Sequence, residues 1–215
     1  PVQSALNWDM MITNVNNEVD RLNGIYQRML DNSKVEVFRT RAKFIDSHTI
    51  DLGDKKVTAD KVLIAVGGRP FLPNILGIDH AITSDDIFHL KDQPKRIVIL
   101  GGGYIGCEFA CILNGLGTEV TQVIRGDRIL RGFDEDIRSE IQQGMMNHGI
   151  NILKGIQLIA IEKCDQGVMV SVGTGDTAET VVADAVSLAA VGRKPNTRDL
   201  GLEHTGVKLR DGAIL

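Results

Sequence analysis

The chain has 215 residues, enough for one large or two modest domains with cores of their own. Hydrophobic residues make up 43% and charged residues 24%, a globular rather than a disordered profile, and the formal net charge of −4 leaves no global basic field for nucleic acid. No leader peptide or bilayer-spanning apolar run is visible, and three cysteines, too few and odd in number for a disulfide framework, point to a reducing compartment rather than secretion.

From Trp8 the apolar positions Trp8, Ile12, Val15, Val19, Leu22, Tyr26 and Met29 recur at alternating intervals of four and three, one face of a long helix. Ser4 or Asn7 caps its start and Asn32–Ser33 closes it. Short β-like runs follow: VEVF (35–38), AKFID (42–46) and TIDL (49–52), with GDKK (53–56) as a turn. KVLIAVGG (61–68) is a continuous apolar run closed by two glycines, the pattern of a buried parallel strand. The segment 69–80, with two prolines and a glycine, reads as a connection between domains.

A βαβ unit comes next, with RIVILG (96–101) as strand, Tyr104 to Leu116 as helix and TEVTQVI (118–124) as second strand. A third helix fits Asp134 to His148, with Asp134, Glu135 and Asp136 in its first turn, where the helix dipole favours anions. QLIAIEKC (157–164), GVMVSVG (167–173) and ETVVAD (179–184) alternate like an antiparallel meander. AVSLAAVGRKPNT (185–197) then repeats the earlier pattern of apolar strand, glycine, arginine and proline. The chain starts at Pro1 without a methionine and stops at DGAIL, which reads as a strand just beginning; the expectation is an internal fragment.

Gly101, Gly103 and Gly106 form G-x-G-x-x-G between a strand and a helix. The first glycine permits the tight turn, the second lets the backbone approach a pyrophosphate, and the third lets helix and strand pack closely. The helix N-terminus offers free N–H groups and a partial positive charge to the phosphates. With both strands and the helix present, the loop reads as a dinucleotide site.

Binders of the unphosphorylated coenzyme place Asp or Glu at the end of the second strand, about 20 residues on, to take the ribose 2′-OH. Here that position carries Ile124 and Arg125, with Arg128 and Arg131 following. Two guanidiniums grip a 2′-phosphate through charge-assisted, often bidentate hydrogen bonds worth about 1.5–3 kcal/mol each, which favours NADPH over NADH. The competing reading of three arginines in seven residues is a solvated loop, and Asp127 weakens the local field.

Tyr104 and Glu108 share one helix face and read either as groups beside the nicotinamide or as an ordinary surface pair. Tyr26, taken alone, is a core or interface aromatic. Cys107 and Cys111 are small packing residues, since a disulfide across one helical turn is geometrically awkward. Cys107 and Cys111, four apart, have no nearby His cluster to complete a metal site, and none of His48, His80, His89, His148 and His204 has an evident catalytic partner.

The stretches RLNGIYQRML, RAKFID, ADKVLIAVGGRP, GGGYIGCEFACILNGLG, VIRGDRILRGFDEDIR and VGRKPNTRDLGLE together resemble the flavoprotein pyridine-nucleotide disulfide reductases, over nearly the whole chain. VIRGDRILRGFD and RLNGIY are most similar to the branch that reduces glutathione disulfide; the trypanothione and dihydrolipoamide types, and a non-catalytic NADPH-binding module, are the alternatives. The resemblance implies an α/β architecture. A Rossmann-like NADPH-binding domain (69–195), with a parallel sheet and an antiparallel meander, is inserted in an incomplete FAD-binding domain (1–68, with a return at 196–215). It implies FAD and NADPH as cofactors, glutathione disulfide as substrate and a cytoplasmic homodimer as the full-length enzyme.

Residue by residue, the resemblance assigns Gly102, Ile105, Glu108, Arg125, Arg131 and Gly192 to the nicotinamide nucleotide. It makes Tyr104 the ring that covers the flavin until NADPH enters, and Glu108 the partner of a lysine near the flavin that this sequence lacks. Ala42 matches a backbone contact to FAD, and Tyr26 a tyrosine of the glutathione pocket, with Met29 nearby. The first flavin glycine loop, the C-x4-C redox pair, the later Gly-Asp flavin motif and the His-Glu base are not in the sequence. Val66 stands where such proteins often have Thr, and Gly106 where many have Ala. The expectation is a chain with the NADPH site, no catalytic residue of its own and no turnover alone.

Overall fold

The structure is a computed structural model that describes residues 6–174, 177–184, 186–189 and 191–215. In chain order the elements are α1 (Trp8–Asn32), β1 (Lys43–Phe44), β2 (Thr49–Asp51), β3 (Lys56–Thr58), β4 (Gly68–Pro70), β5 (Arg96–Leu100), α2 (Tyr104–Gly115), β6 (Glu119–Val123) and α3 (Glu135–Asn147). They continue with β7 (Asn151–Leu153), β8 (Gln157–Cys164), β9 (Gly167–Thr174), β10 (Thr177–Ala183), β11 (Val186–Ala189), β12 (Arg193–Pro195), β13 (Leu209–Arg210) and β14 (Ala213–Ile214). This is an α/β protein, divided into two compact units: residues 1–16 with 70–192, and residues 17–69 with 193–215. No helix among the described residues is long and apolar enough to cross a membrane.

The first unit is built on a four-stranded parallel sheet of order β11-β5-β6-β7. β5 lies between two neighbours and needs apolar side chains on both faces, which is why RIVIL is a continuous run rather than an alternating one. Its period of two splits the run. Ile97 and Ile99 join Cys107, Ala110 and Leu113 of α2, Val120 of β6 and Met145 of α3 in one core. Val98 and Leu100 join Ile161, Val168, Val170 and Val172 of the antiparallel meander β10-β9-β8 in another. The sheet is thus covered by helices on one face and by the meander on the other, so the two patterns read in the sequence serve a single layered body.

Asn7 caps α1, its Oδ1 accepting the Met10 N–H at 3.0 Å; the alternative cap Ser4 lies outside the described residues. Helix α3 begins one residue later than its pattern predicts. Asp134 is the N-cap itself, its carboxylate accepting the N–H groups of Asp136 and Ile137, and it gives up helical backbone to do so.

The second unit holds the antiparallel sheet β1-β2-β3, the β4–β12 ladder and the β13–β14 hairpin. The returning chain is stitched to it: Phe44 N–H donates to Leu200 O at 2.7 Å, Arg41 donates to Arg198 O at 2.9 Å, and Asn196 N–H donates to Gly67 O at 3.0 Å. Three expected strands are corrected here. VEVF forms no strand among the described residues, its Val35 N–H donating to Leu30 O at 3.0 Å with Val35 and Val37 exposed, and AKFID is strand only at Lys43–Phe44. KVLIAVGG is not a buried parallel strand: only Gly68 enters a ladder, and Leu63 is 89% exposed. A strand exists only where a neighbour takes up its N–H and C=O groups; among the described residues 61–65 have none, and Val66 O accepts only the Asn196 side-chain amide at 3.2 Å.

Candidate functional site

The register of the parallel sheet sets the site. Ala189, Leu100, Val123 and Leu153 are paired across β11, β5, β6 and β7, so four strands end level at their carboxyl edge. The segments that leave this edge carry Gly192 after β11, Gly101–Tyr104 after β5, and Arg125–Arg131 after β6. Crevices outside the carboxyl ends of parallel strands are where open α/β sheets bind ligands.

The glycine loop makes a turn that side chains do not follow. Gly101 has φ +112, in the left-handed region. Its carbonyl is held at 2.9 Å by Nε2 of Gln122, a side chain with no exposed surface on β6. At Gly106 a Cβ would stand 2.7 Å from the Gly101 carbonyl oxygen, so helix and loop approach more closely than a side chain there allows without a shift. Gly103 is the opposite case: nothing lies within 4 Å of where its Cβ would be, leaving backbone open to an incoming group.

Helix α2 starts beside that open space. No side chain caps it, and its first helical bond runs from Cys107 N–H to Gly103 O at 3.1 Å. The N–H groups of the preceding residues, including Ile105 and Gly106, are the unpaired positive end of the helix. Gly102 sits under the loop and accepts the N–H of Leu130 at 2.6 Å, which ties the glycine loop to the arginine segment.

The three arginines of that segment separate into two classes. Arg128 is engaged, donating to Glu135 at 2.9 Å and lying 3.9 Å from Asp127. Arg125 and Arg131 are exposed and make no hydrogen bond or ion pair among the described residues. Two uncommitted guanidiniums therefore flank a bound one, and Asp127, paired with Arg128, is not spent against them.

Tyr104 and Glu108 stand one turn apart on α2, both exposed, with no polar partner among the described residues. Gly192 (φ +141) is exposed beyond β11, and its carbonyl accepts the Phe71 N–H at 2.9 Å. All these residues belong to the first unit; Tyr26 (59% exposed) and the exposed Ala42 belong to the second. The cysteines are free thiols, and burial pushes the Cys107 thiol above its usual range, which makes it inert rather than nucleophilic. No cluster of metal-binding side chains occurs among the described residues.

Sequence reasoning passed over Gln122 and Leu130. A glutamine inside an apolar strand is a visible signal for a buried polar tie. The Leu130 contact depends on a left-handed backbone (φ +54) at a residue type that rarely adopts one, so nothing in the sequence announces it.

The sequence profile described as Pyridine nucleotide-disulphide oxidoreductase matches residues 2–215. A glutathione reductase of Nostoc sp. is 50% identical over 212 residues, covering 99% of this chain and 46% of its own length. The chloroplastic/mitochondrial glutathione reductase of Pisum sativum is 43% identical over 208 residues, covering 96% of this chain and 37% of its own. A mercuric reductase of Lysinibacillus sphaericus is 34% identical over 185 residues, 85% of this chain and 34% of its own. Among solved structures, the HOCl-induced flavoprotein disulfide reductase RclA from Escherichia coli superposes with a TM-score of 0.85 at 27% identity, over 99% of this chain and 49% of that one. The chain thus spans about half the length, or less, of the relatives it matches.

Proposed function

The chain belongs to the pyridine nucleotide-disulphide oxidoreductase family, and on that premise we propose that it is the NADPH-binding part of an enzyme that reduces glutathione disulfide. The observation that carries the reading is the pairing of an open, uncapped glycine turn with two uncommitted arginines on the same carboxyl edge. The pyrophosphate lies against Gly103 and the N-terminus of α2. Arg125 and Arg131 take the 2′-phosphate, and Gly102, Ile105, Glu108 and Gly192 complete the contacts to the nucleotide. When bound, NADPH would supply the hydride whose electron pair reduces a disulfide by way of FAD.

The proposed organisation is a Rossmann-like NADPH domain (69–195) inserted in an FAD-binding domain to which 1–68 and 196–215 contribute. Tyr104 shields the flavin side of the nicotinamide pocket, Ala42 offers backbone to FAD, and Tyr26 contacts glutathione disulfide. The full-length enzyme is proposed as a cytoplasmic homodimer. Support for the glutathione branch is the 50% and 43% identity to glutathione reductases, against 34% to a mercuric reductase.

Titration of this chain with NADPH and NADH tests the cofactor half of the proposal. The native chain prefers NADPH, and Arg125→Glu with Arg131→Ala abolishes that preference at a cost of about 3–6 kcal/mol in NADPH binding, two charge-assisted hydrogen bonds. Equal affinity for the two coenzymes in the native chain overturns it. The substrate half is tested with the full-length enzyme by comparing rates on glutathione disulfide, trypanothione disulfide and lipoamide.

A further inference from the structure

The arginine segment is not a free loop: helix α3 holds its backbone. Arg138 and Gln142 are four apart and so share a face of α3. Arg138, with its side chain only 11% exposed, donates from Nε to Ile129 O at 2.7 Å and from its terminal nitrogen to Arg128 O at 3.3 Å. Its other terminal nitrogen is paired with Glu135. Gln142 accepts the N–H of Ile129 through Oε1 at 3.1 Å. Both backbone polar groups of Ile129, itself fully buried, thus end on side chains of α3. The next residue, Leu130, donates to the glycine loop at Gly102, and the one after it is Arg131. On the other flank, Gly126 O accepts the Gly155 N–H at 2.9 Å, beside Arg125.

We infer that Arg138 and Gln142 are positioning residues for coenzyme selectivity, an inference that rests on the 2′-phosphate reading of Arg125 and Arg131. The 2′-phosphate and the pyrophosphate hang from one ribose, so the ligand presents them at a fixed span. A protein reads both only if its arginine segment and its glycine loop keep the matching span. The Leu130–Gly102 hydrogen bond joins the two loops, and the α3 clamp on residues 128 and 129 keeps that joint from sliding. NADH, which has no 2′-phosphate, is indifferent to the clamp.

Dissociation constants for NADPH and NADH, measured on the 215-residue chain beside its unfolding curve, test this. Arg138→Lys keeps the positive charge but lacks the planar fork that reaches two carbonyls, and Gln142→Leu changes no charge at all. Each lowers the preference for NADPH over NADH by about threefold to tenfold, the worth of one lost hydrogen bond or slightly more, with NADH affinity unchanged. Full preference in both variants overturns the inference, because Arg138 would then act only as a charge. Equal weakening of both coenzymes also overturns it, because that is general loss of structure. The control pair Arg125→Ala, Arg131→Ala separates the two levels. If that pair leaves the preference intact, the phosphate reading falls and the clamp with it; if only the control pair loses preference, the clamp alone falls.

Discussion

Residues 59–70 and 183–195 carry nearly the same pattern: Ala-Asp, an apolar run, glycine, arginine, proline. Their structures differ. In the later segment Val186–Ala189 is β11, hydrogen-bonded in parallel to β5. Asp184, just before it, accepts both the side chain and the backbone N–H of Arg96, the first residue of β5. In the earlier segment Val62–Val66 joins no strand among the described residues, Val66 O accepting only the Asn196 side-chain amide at 3.2 Å; Leu63 is 89% exposed, and Asp60 makes no ion pair or hydrogen bond among the described residues. An apolar run therefore specifies a willingness to be a buried strand, and the neighbour decides whether it is one. The first unit supplies that neighbour from within the chain, because β5 has an edge that β11 fills.

The largest effect that tests this contrast is in the core. Ile99→Ala, at a fully buried position of β5, is expected to cost about 2–5 kcal/mol, read as a shift of the denaturant midpoint. Leu63→Ala is expected to stay within about 0.5 kcal/mol, the range of surface substitutions. Comparable losses at the two sites would show that residues 61–66 are buried in solution after all.

Next in size is the turn that β5 feeds. Gly101→Ala forces an alanine toward φ +112, a conformation costing roughly 1–3 kcal/mol. NADPH affinity should fall at least severalfold, while circular dichroism keeps the α/β signature of the sheet. An unchanged affinity would mean that the loop adjusts to bind and the observed turn is not the binding one.

A smaller effect lies at the Asp184 anchor. Its carboxyl titrates below the usual carboxylate range, chiefly because of the Arg96 hydrogen bond, with backbone and Coulombic contributions behind it. A folded value below the unfolded one means that the stabilisation is complete above the unfolded value, about 3.9, and drains away as pH falls through the folded one. Melting temperatures of the native chain should drop below pH ~4 more steeply than those of Asp184→Asn. Parallel curves would remove Asp184 from the account of why β11 forms.

The smallest effect is chemical. Cys111 and Cys164 are exposed and Cys107 is buried, burial pushes the thiols of both Cys107 and Cys111 up, and none of the three is in a disulfide. A mild alkylating reagent should label the first two quickly and Cys107 only after denaturant is added. Rapid labelling of Cys107 would show that α2 opens away from the sheet.

Much of this was legible in one dimension. The βαβ unit around Gly101–Gly106, the third helix and the meander all come from periods of two and 3.6 and from turn residues, which act over a few positions. The place to look for arginines followed from the glycine loop, because the span from loop to second strand end is set by the length of one helix and one strand. What stayed hidden was which arginines were free. Arg125, Arg128 and Arg131 are chemically identical in the sequence, and only Glu135, brought across by α3, distinguishes the engaged one from its neighbours.

Sequence by itself determined the kind of the βαβ, third-helix and meander elements of the first unit and which residues leave its carboxyl edge, since local pattern and residue type carry both; the three-residue β7 (Asn151–Leu153) was not among the predicted elements. Tertiary structure alone decided three other things: that β11 became a strand while its near-repeat did not, that Leu130 bridges two loops, and that Arg138 and Gln142 hold the backbone of residues 128 and 129. The physical reason is common to all three. A hydrogen bond to a main-chain group requires a partner at about 3 Å, and no residue type encodes which main-chain group the fold will bring there.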